Sequence, residues 1–277
     1  MAIFSWGLGL RPAHFADWHV ADQVPVLELM ADNLLHHSGG PALWHTSQIV
    51  RRAPWVVLHG IGLNIGGKDS LSKEYLSGLR DLCERFRPRV VSDHLCFTQS
   101  EGLQSYELLP VVRTKAMLEH IVQRIDQVQQ YLGRRYTLEN VSAYVEYMAD
   151  DIPEGEFLSE IARLSGCGIL LDVNNVYVSA RNFGLDPLAE LNRYNLDAVT
   201  QIHIAGHSIK DDFLFDTHDA PVCPEVWELL ETVLKKFASE ETEKGPTESD
   251  IAVILENDDA ETALPTLLEQ LNVGRRS

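Results

Sequence analysis

Short apolar runs that stop abruptly at a polar side chain alternate with longer stretches whose apolar residues recur every three or four positions. The first pattern reads as buried strands, the second as amphipathic helices laid over them. Residues 4–10, 24–29, 55–59, 89–94, 136–140, 168–173, 199–204 and 251–256 qualify as strands. Helical spacing covers 73–86, 114–132, 156–164, 187–192, 224–237 and 262–271, with weaker signals at 13–20 and 42–51. Pro187 and Pro224 stand where a helix can start without a free backbone N–H. Eight strand–helix units in about 250 residues predict an α/β fold of the (β/α)8 TIM-barrel type. The expectation is one domain over 1–277. A doubly wound open sheet is the alternative. It requires a glycine-rich loop after its first strand, and here the GLGL of 7–10 runs into Arg11 and Pro12. The polar stretch 239–250, SEETEKGPTESD, is expected to form a solvated loop before the last strand.

The composition, 45% hydrophobic with 23% charged residues, is that of a globular chain. Acidic residues outnumber basic ones by 41 to 23, a net −18, so the overall field repels nucleic-acid phosphate. No apolar run reaches the roughly 18 residues of a membrane span. The opening MAIFSWGLGLRP lacks the basic flank and cleavage site of a secretory signal. The expectation is therefore a cytoplasmic protein with no nucleic-acid and no membrane partner. Cys83, Cys96, Cys167 and Cys223 show no CxxC spacing and read as reduced, structural thiols.

Chemistry collects where the strands end. Strand two carries Glu28; strand three ends at His59, four at Asp93 and His94, five at Glu139 and Asn140, six at Asp172, seven at His203 and eight at Glu256. In a parallel barrel these ends share one mouth, where barrel active sites are built. Each has a plain alternative taken singly: a structural histidine, a solvated Glu139, or Asp172 capping the turn that follows it. Together, on seven of eight strands, they point to a metal or catalytic centre. The loop after strand seven, FDTHDAP, adds Asp216, His218 and Asp219. His59, His94, Glu139, Asp172, His203, Asp216, His218 and Glu256 make eight candidate ligands, more than one ion with open positions uses. Two or three metals are expected, and the nitrogen and oxygen donors suit iron, zinc, manganese or cobalt.

Other features weigh less. His36 and His37, beside Gly39 and Gly40, read as a solvated loop near the substrate; His14, His19, His45 and His120 read as packing or surface residues of helices. The glycine-rich 60–69, GIGLNIGGKD, lacks the spacing of a phosphate loop and is expected to be a flexible lid over the mouth or a plain turn. Cys96 reads as a buried structural cysteine rather than a ligand.

The blocks GLGLRP, LHGIGLNIGG, RPRVVSDHLCF, LENVSAYVEY, GCGILLDVNNVYVSA, QIHIAGH and DTHDAPV resemble, in order, those of the DUF692 (UPF0276) family, which includes the methanobactin biosynthesis iron enzyme. The resemblance runs from about Gly7 to Asp259. It implies a xylose-isomerase-like barrel holding two or three iron ions in mixed Fe(II)/Fe(III) states, with O2 as co-substrate. It also implies a cysteine-containing precursor peptide as substrate, and a small partner protein that recognises that peptide within a heterodimer. Carried over by motif, the eight candidate ligands become the metal ligands. Asn140, Asn174 and Asn175, with Asp93 and His207, would lie around the metals or face the substrate. Two departures stand out. Relatives read Ser-Glu-Asn where this chain has Ala31, Asp32 and Asn33, and ERDD where it reads LEND around Glu256.

Among family outcomes, excision of the cysteine β-methylene, as in the 3-thiaglutamate pathway, is the reading adopted. Conversion to an oxazolone with a neighbouring thioamide is the alternative. Outside the family, a metal-dependent sugar isomerase or hydrolase on the same barrel, or a metal-binding scaffold, would use the same ligands. The net charge of −18 speaks against a nuclease.

Overall fold

The computed structural model describes residues 3–16, 18, 24–35, 39–239, 250–259 and 261–275. The chain enters through β1 (Ile3–Leu10) and a 3-10 turn at Pro12–His14, then β2 (Val26–Met30) and α1 (Pro41–Val50). Next come β3 (Trp55–His59), α2 (Lys73–Phe86) and β4 (Val90–His94). A hairpin of β5 (Cys96–Ser100) and β6 (Leu103–Pro110) precedes α3 (Lys115–Leu132). There follow β7 (Thr137–Glu139), α4 (Glu154–Ser165) and β8 (Gly168–Asp172), which leads straight into α5 (Val173–Asn182) and α6 (Pro187–Leu191). After β9 (Val199–Ile204) a second hairpin, β10 (Ser208–Lys210) with β11 (Phe213–Phe215), comes before α7 (Pro224–Ser239), β12 (Asp250–Leu255) and α8 (Leu264–Gly274). Eight strands close in the order β1-β12-β9-β8-β7-β4-β3-β2, every pair parallel. The fold is a TIM barrel.

Two-residue alternation along each strand separates two cores. Leu27, Leu29, Val56, Leu58, Val253 and Leu255 face outward and pack under the helices, joined by Leu76, Leu79 and Leu82 of α2 and Ile121, Ile125 and Val128 of α3. Val26, Trp55, Val57, Ala252 and Ile254 form a second cluster inside the barrel. β1 adds almost nothing to that interior: a Cβ at Gly7 would stand 2.4 Å from the Val26 carbonyl oxygen.

The strand expectations hold to within two residues at either end. Helix 13–20 does not form as expected: its described part is a 3-10 turn, and residues 17, 19 and 20 lie outside the described set. His36, His37, His19 and most of the 239–250 loop also lie outside it. Helix α5 and both hairpins were not anticipated. Among the described residues no helix is long and apolar enough to cross a membrane.

Candidate metal centre

The barrel register sets the site. Parallel pairing places His94 of β4 opposite Glu139 of β7, and Asp172 of β8 opposite His203 of β9. Glu139 lies at the middle. Its Oε2 is 3.2 Å from both His59 Nε2 and His94 Nε2, and its Oε1 is 3.1 Å from His203 Nδ1. Each imidazole has its other nitrogen occupied by the protein. His59 Nδ1 meets Ser92 Oγ at 2.9 Å, His94 Nδ1 meets the Gly60 carbonyl at 3.1 Å, and His203 Nε2 meets Glu28 Oε2 at 2.8 Å. A ring whose far nitrogen donates outward turns a lone pair inward, which is how histidines are oriented toward metals.

Two groups of donors result: His59, His94 and Glu139, and Glu139, Asp172, His203 and Glu256. Within each, the donor atoms lie within 4.8 Å of one another, and Glu139 belongs to both. Beside the second group, His218 Nε2 lies 2.7 Å from Asp216 Oδ1, and its Nδ1 lies 3.7 Å from Glu256 Oε2. All eight sequence candidates are thus brought to one mouth.

Asp172 Oδ2 is buried with no hydrogen-bond partner, and Glu139 Oε2 has two imidazole nitrogens at 3.2 Å but no well-directed hydrogen bond from either. Leaving a carboxylate oxygen so is costly unless a cation takes it. Four nearby carboxyls, Glu28, Glu139, Asp172 and Glu256, are all buried. Protons supply part of the compensation. Burial opposes charge on His94, but Glu139 and Asp93 outweigh it and hold its pKa at about 9. Burial also opposes charge on His203 and His218, and the surrounding carboxylates reverse it, raising both well above the usual histidine range. Burial and the neighbouring Glu139 push Asp172 well up. Burial, together with the nearby imidazoles His94 and His203, drives His59 well down. A metal can displace such protons. The orphaned oxygens, the inward lone pairs and the three-imidazole, multi-carboxylate donor set fit an N/O-ligated metal.

The remaining candidates divide. Asn140 clamps Asp172 through both backbone groups, donating Nδ2–H to the Asp172 carbonyl and accepting its N–H on Oδ1, each at 2.9 Å. Asn175 donates its N–H to Asp172 Oδ1 at 2.6 Å and its Nδ2–H to the Asn140 carbonyl. Asn174 donates Nδ2–H to Asp216 Oδ1 at 2.7 Å, and its Oδ1 meets His207 Nδ1 at 2.8 Å. Asp93 stands behind His94, outside both donor groups. Its Oδ1 accepts the His94 N–H, and its Oδ2 accepts the Leu63 N–H and the Tyr75 hydroxyl. That hydroxyl also reaches Asp32, whose Oδ2 accepts the Ile61 N–H, so Asp32 and Asp93 together staple the loop after β3.

Sequence reasoning left Arg11 and Asp258 without a role. Arg11 folds back over Gly9 and donates to Asp258 Oδ1, while Asp258 Oδ2 lies 3.4 Å from His218 Nδ1. No spacing in the sequence links the two, which stand 247 positions apart. The 60–69 loop is no free lid. Arg124 donates to the carbonyls of Asn64 and Asp69, and the Asn64 side chain accepts the Thr98 N–H. Cys96 is buried and stands in neither donor group.

Fold and donors together define a barrel whose mouth gathers side chains that could hold metal. The chain matches the family of RiPP precursor modification enzymes MbnB/TglH/ChrH over residues 5–275, and it belongs to that family. It is 47% identical over 233 residues to a UPF0276 protein of Anaeromyxobacter sp. (strain Fw109-5), covering 83% of this chain and 81% of the relative. A UPF0276 protein of Caulobacter vibrioides is 39% identical over 272 residues, 98% of this chain and 92% of the relative. Among solved structures, endonuclease IV from Thermus thermophilus superposes with a TM-score of 0.59 at 14% identity, covering 98% of each chain. D-psicose 3-epimerase from Clostridium cellulolyticum gives 0.58 at 10%, covering 99% of this chain and 90% of that one. These likenesses, and one to a xylose isomerase domain protein at 0.55 and 17% identity covering 98% and 100%, show the xylose-isomerase-like fold.

Proposed function

We propose that the chain is a multinuclear, non-haem iron enzyme that uses O2 to modify a cysteine of a ribosomally made precursor peptide, excising the cysteine β-methylene so that sulfur is left on the α-carbon and the lost CH2 takes up one O2 to leave as formic acid. The observation that carries this reading is Glu139, a buried carboxylate shared by two donor groups with imidazole nitrogens on both of its oxygens. His59, His94, Glu139, Asp172, His203, Asp216, His218 and Glu256 would hold two or three ions. Iron bound there would supply the one-electron chemistry that oxidation of a thiol by O2 requires.

The chain's own residues hold the site rather than react. Asn140 and Asn175 fix Asp172, and Asn174 fixes Asp216 against His207. His207, half-buried and held by Asn174, would face the peptide. A small partner protein would grip the precursor, so the isolated chain should turn over dilute peptide poorly.

The test is anaerobic purification, elemental analysis, and reaction with a cysteine-containing precursor and its partner under oxygen. More than one iron per chain, oxygen uptake that requires the peptide, and loss of one methylene from its cysteine are expected. Oxazolone and thioamide in the product would move the reaction to the methanobactin-like outcome. Active protein holding a single zinc and no iron, or turnover of a sugar or phosphodiester with the cysteine unchanged, would overturn the reading.

A further inference from the structure

Three histidines face Glu139, and they are not held alike. His59 and His94 each turn Nε2 inward and rest Nδ1 on a serine hydroxyl and a backbone carbonyl, with the Asp93 carboxylate a longer 3.8 Å from His94 Nδ1. His203 is the other way round. Its Nδ1 faces Glu139 Oε1 and Glu256 Oε2, both at 3.1 Å, and its Nε2 points down the barrel to Glu28 Oε2 at 2.8 Å. Glu28, His203 and Gln201 are all fully buried. Glu28 stands in neither donor group, and its Oε1 has no partner.

We propose that Glu28 is a positioning residue: its carboxylate accepts the Nε2–H of His203, fixes the tautomer that presents Nδ1 to the metal, and strengthens that nitrogen as a donor. A carboxylate behind a ligating imidazole makes the ring more basic than a neutral acceptor does. Gln201 completes the arrangement, because its Nε2 donates to the same Glu28 oxygen at 2.6 Å. Gln201 Nε2 is also 2.8 Å from His203 Nε2, which defines the competing tautomer. In that arrangement His203 Nε2 accepts from the amide, and the proton sits on Nδ1, facing Glu139 and Glu256. A cation among those carboxylates excludes that proton and leaves the Nε2–H to Glu28. While Glu28 is charged, turning the amide over would set its oxygen against that carboxylate, so in the parent chain the amide supports Glu28.

The inference rests on the metal reading above, and zinc tests it without the redox reaction. Zinc affinity is measured by chelator competition in the parent chain, Glu28→Gln and Glu28→Leu, with thermal melts to report folding. Spectra of the 15N-histidine-labelled, zinc-loaded parent report the tautomer. Glu28→Leu is expected to weaken zinc binding roughly 10- to 100-fold. Glu28→Gln keeps an acceptor but not the charge, and is expected to weaken it severalfold while His203 retains its Nε2–H. If Glu28→Leu does not fold, Glu28→Gln decides alone. Affinity of Glu28→Gln within error of the parent, or His203 coordinating through Nε2, overturns the proposal and leaves the metal reading standing. A parent chain that does not bind zinc overturns both.

Discussion

Glu139 ends the three-residue strand β7, and its two oxygens face three imidazoles. An amide there keeps size and shape but loses the charge, and it places an N–H against an imidazole nitrogen. Glu139→Gln is therefore expected to lose at least half of the bound metal while remaining folded, read by elemental analysis of anaerobically loaded protein. Asp172 allows a cleaner separation. Its Oδ1 caps α5 through the Asn175 N–H, while its Oδ2 has no partner. Asparagine is as good a cap as aspartate, and alanine is not. Asp172→Asn is expected to keep its melting temperature and lose metal, whereas Asp172→Ala loses both, with about 0.5–2 kcal/mol of stability gone for the cap. Equal destabilisation by the two would show that Oδ1 does not cap. The plain and the chemical readings of this residue, rivals in the sequence, belong to different oxygens of one carboxylate.

At the scale of elements, the strands were legible because β-branched and leucine runs end in single polar residues. Helix α5 was not, since VNNVYVSARN is rich in β-branched and Asn residues that disfavour helix. It forms because Asp172 caps it and Val173, Val176, Val178 and Ala180 are buried along it. The hairpins did leave a trace. Glu101–Gly102 and Asp211–Asp212 both have positive φ at two consecutive positions, the signature of the tight turn that joins twisted strands. A Glu-Gly pair between alternating residues could have been read that way. The 60–69 loop misled because its glycines suggest mobility, while its anchors, Arg124 and Asn64, are distant in sequence from one another. Arg124→Met strips two carbonyls of a charged donor, a loss of about 1.5–3 kcal/mol. It is expected to raise amide exchange across 60–69, and unchanged exchange there would show that the loop is held by other contacts.

At the scale of the whole molecule, stability depends on pH through a group far from the candidate donors. Glu154 opens α4, and burial, opposed by Arg113, raises its pKa to about 7 while Tyr194 donates to its Oε2 at 3.1 Å. The folded state therefore holds a proton that the unfolded chain releases near the ordinary carboxyl value of 4.5. Stability from this group is complete below that value and is lost as pH rises through about 7. Glu154→Gln is expected to flatten that slope and to gain about 1–2 kcal/mol at pH 8, the figure allowing for the partial solvent access of the site. Parallel urea titrations at pH 5 and pH 8 would show it, and equal differences between parent and variant at both would remove Glu154 as the cause. The apolar cluster of Val26, Trp55, Val57, Ala252 and Ile254 has a different consequence. Val57 pairs with Glu28, and Ala252 with Gln201, in the strand register, so an apolar wall lies alongside these two polar groups. Little water stands there to screen the Glu28 carboxylate, and His203 feels its charge far more strongly than it would at the surface.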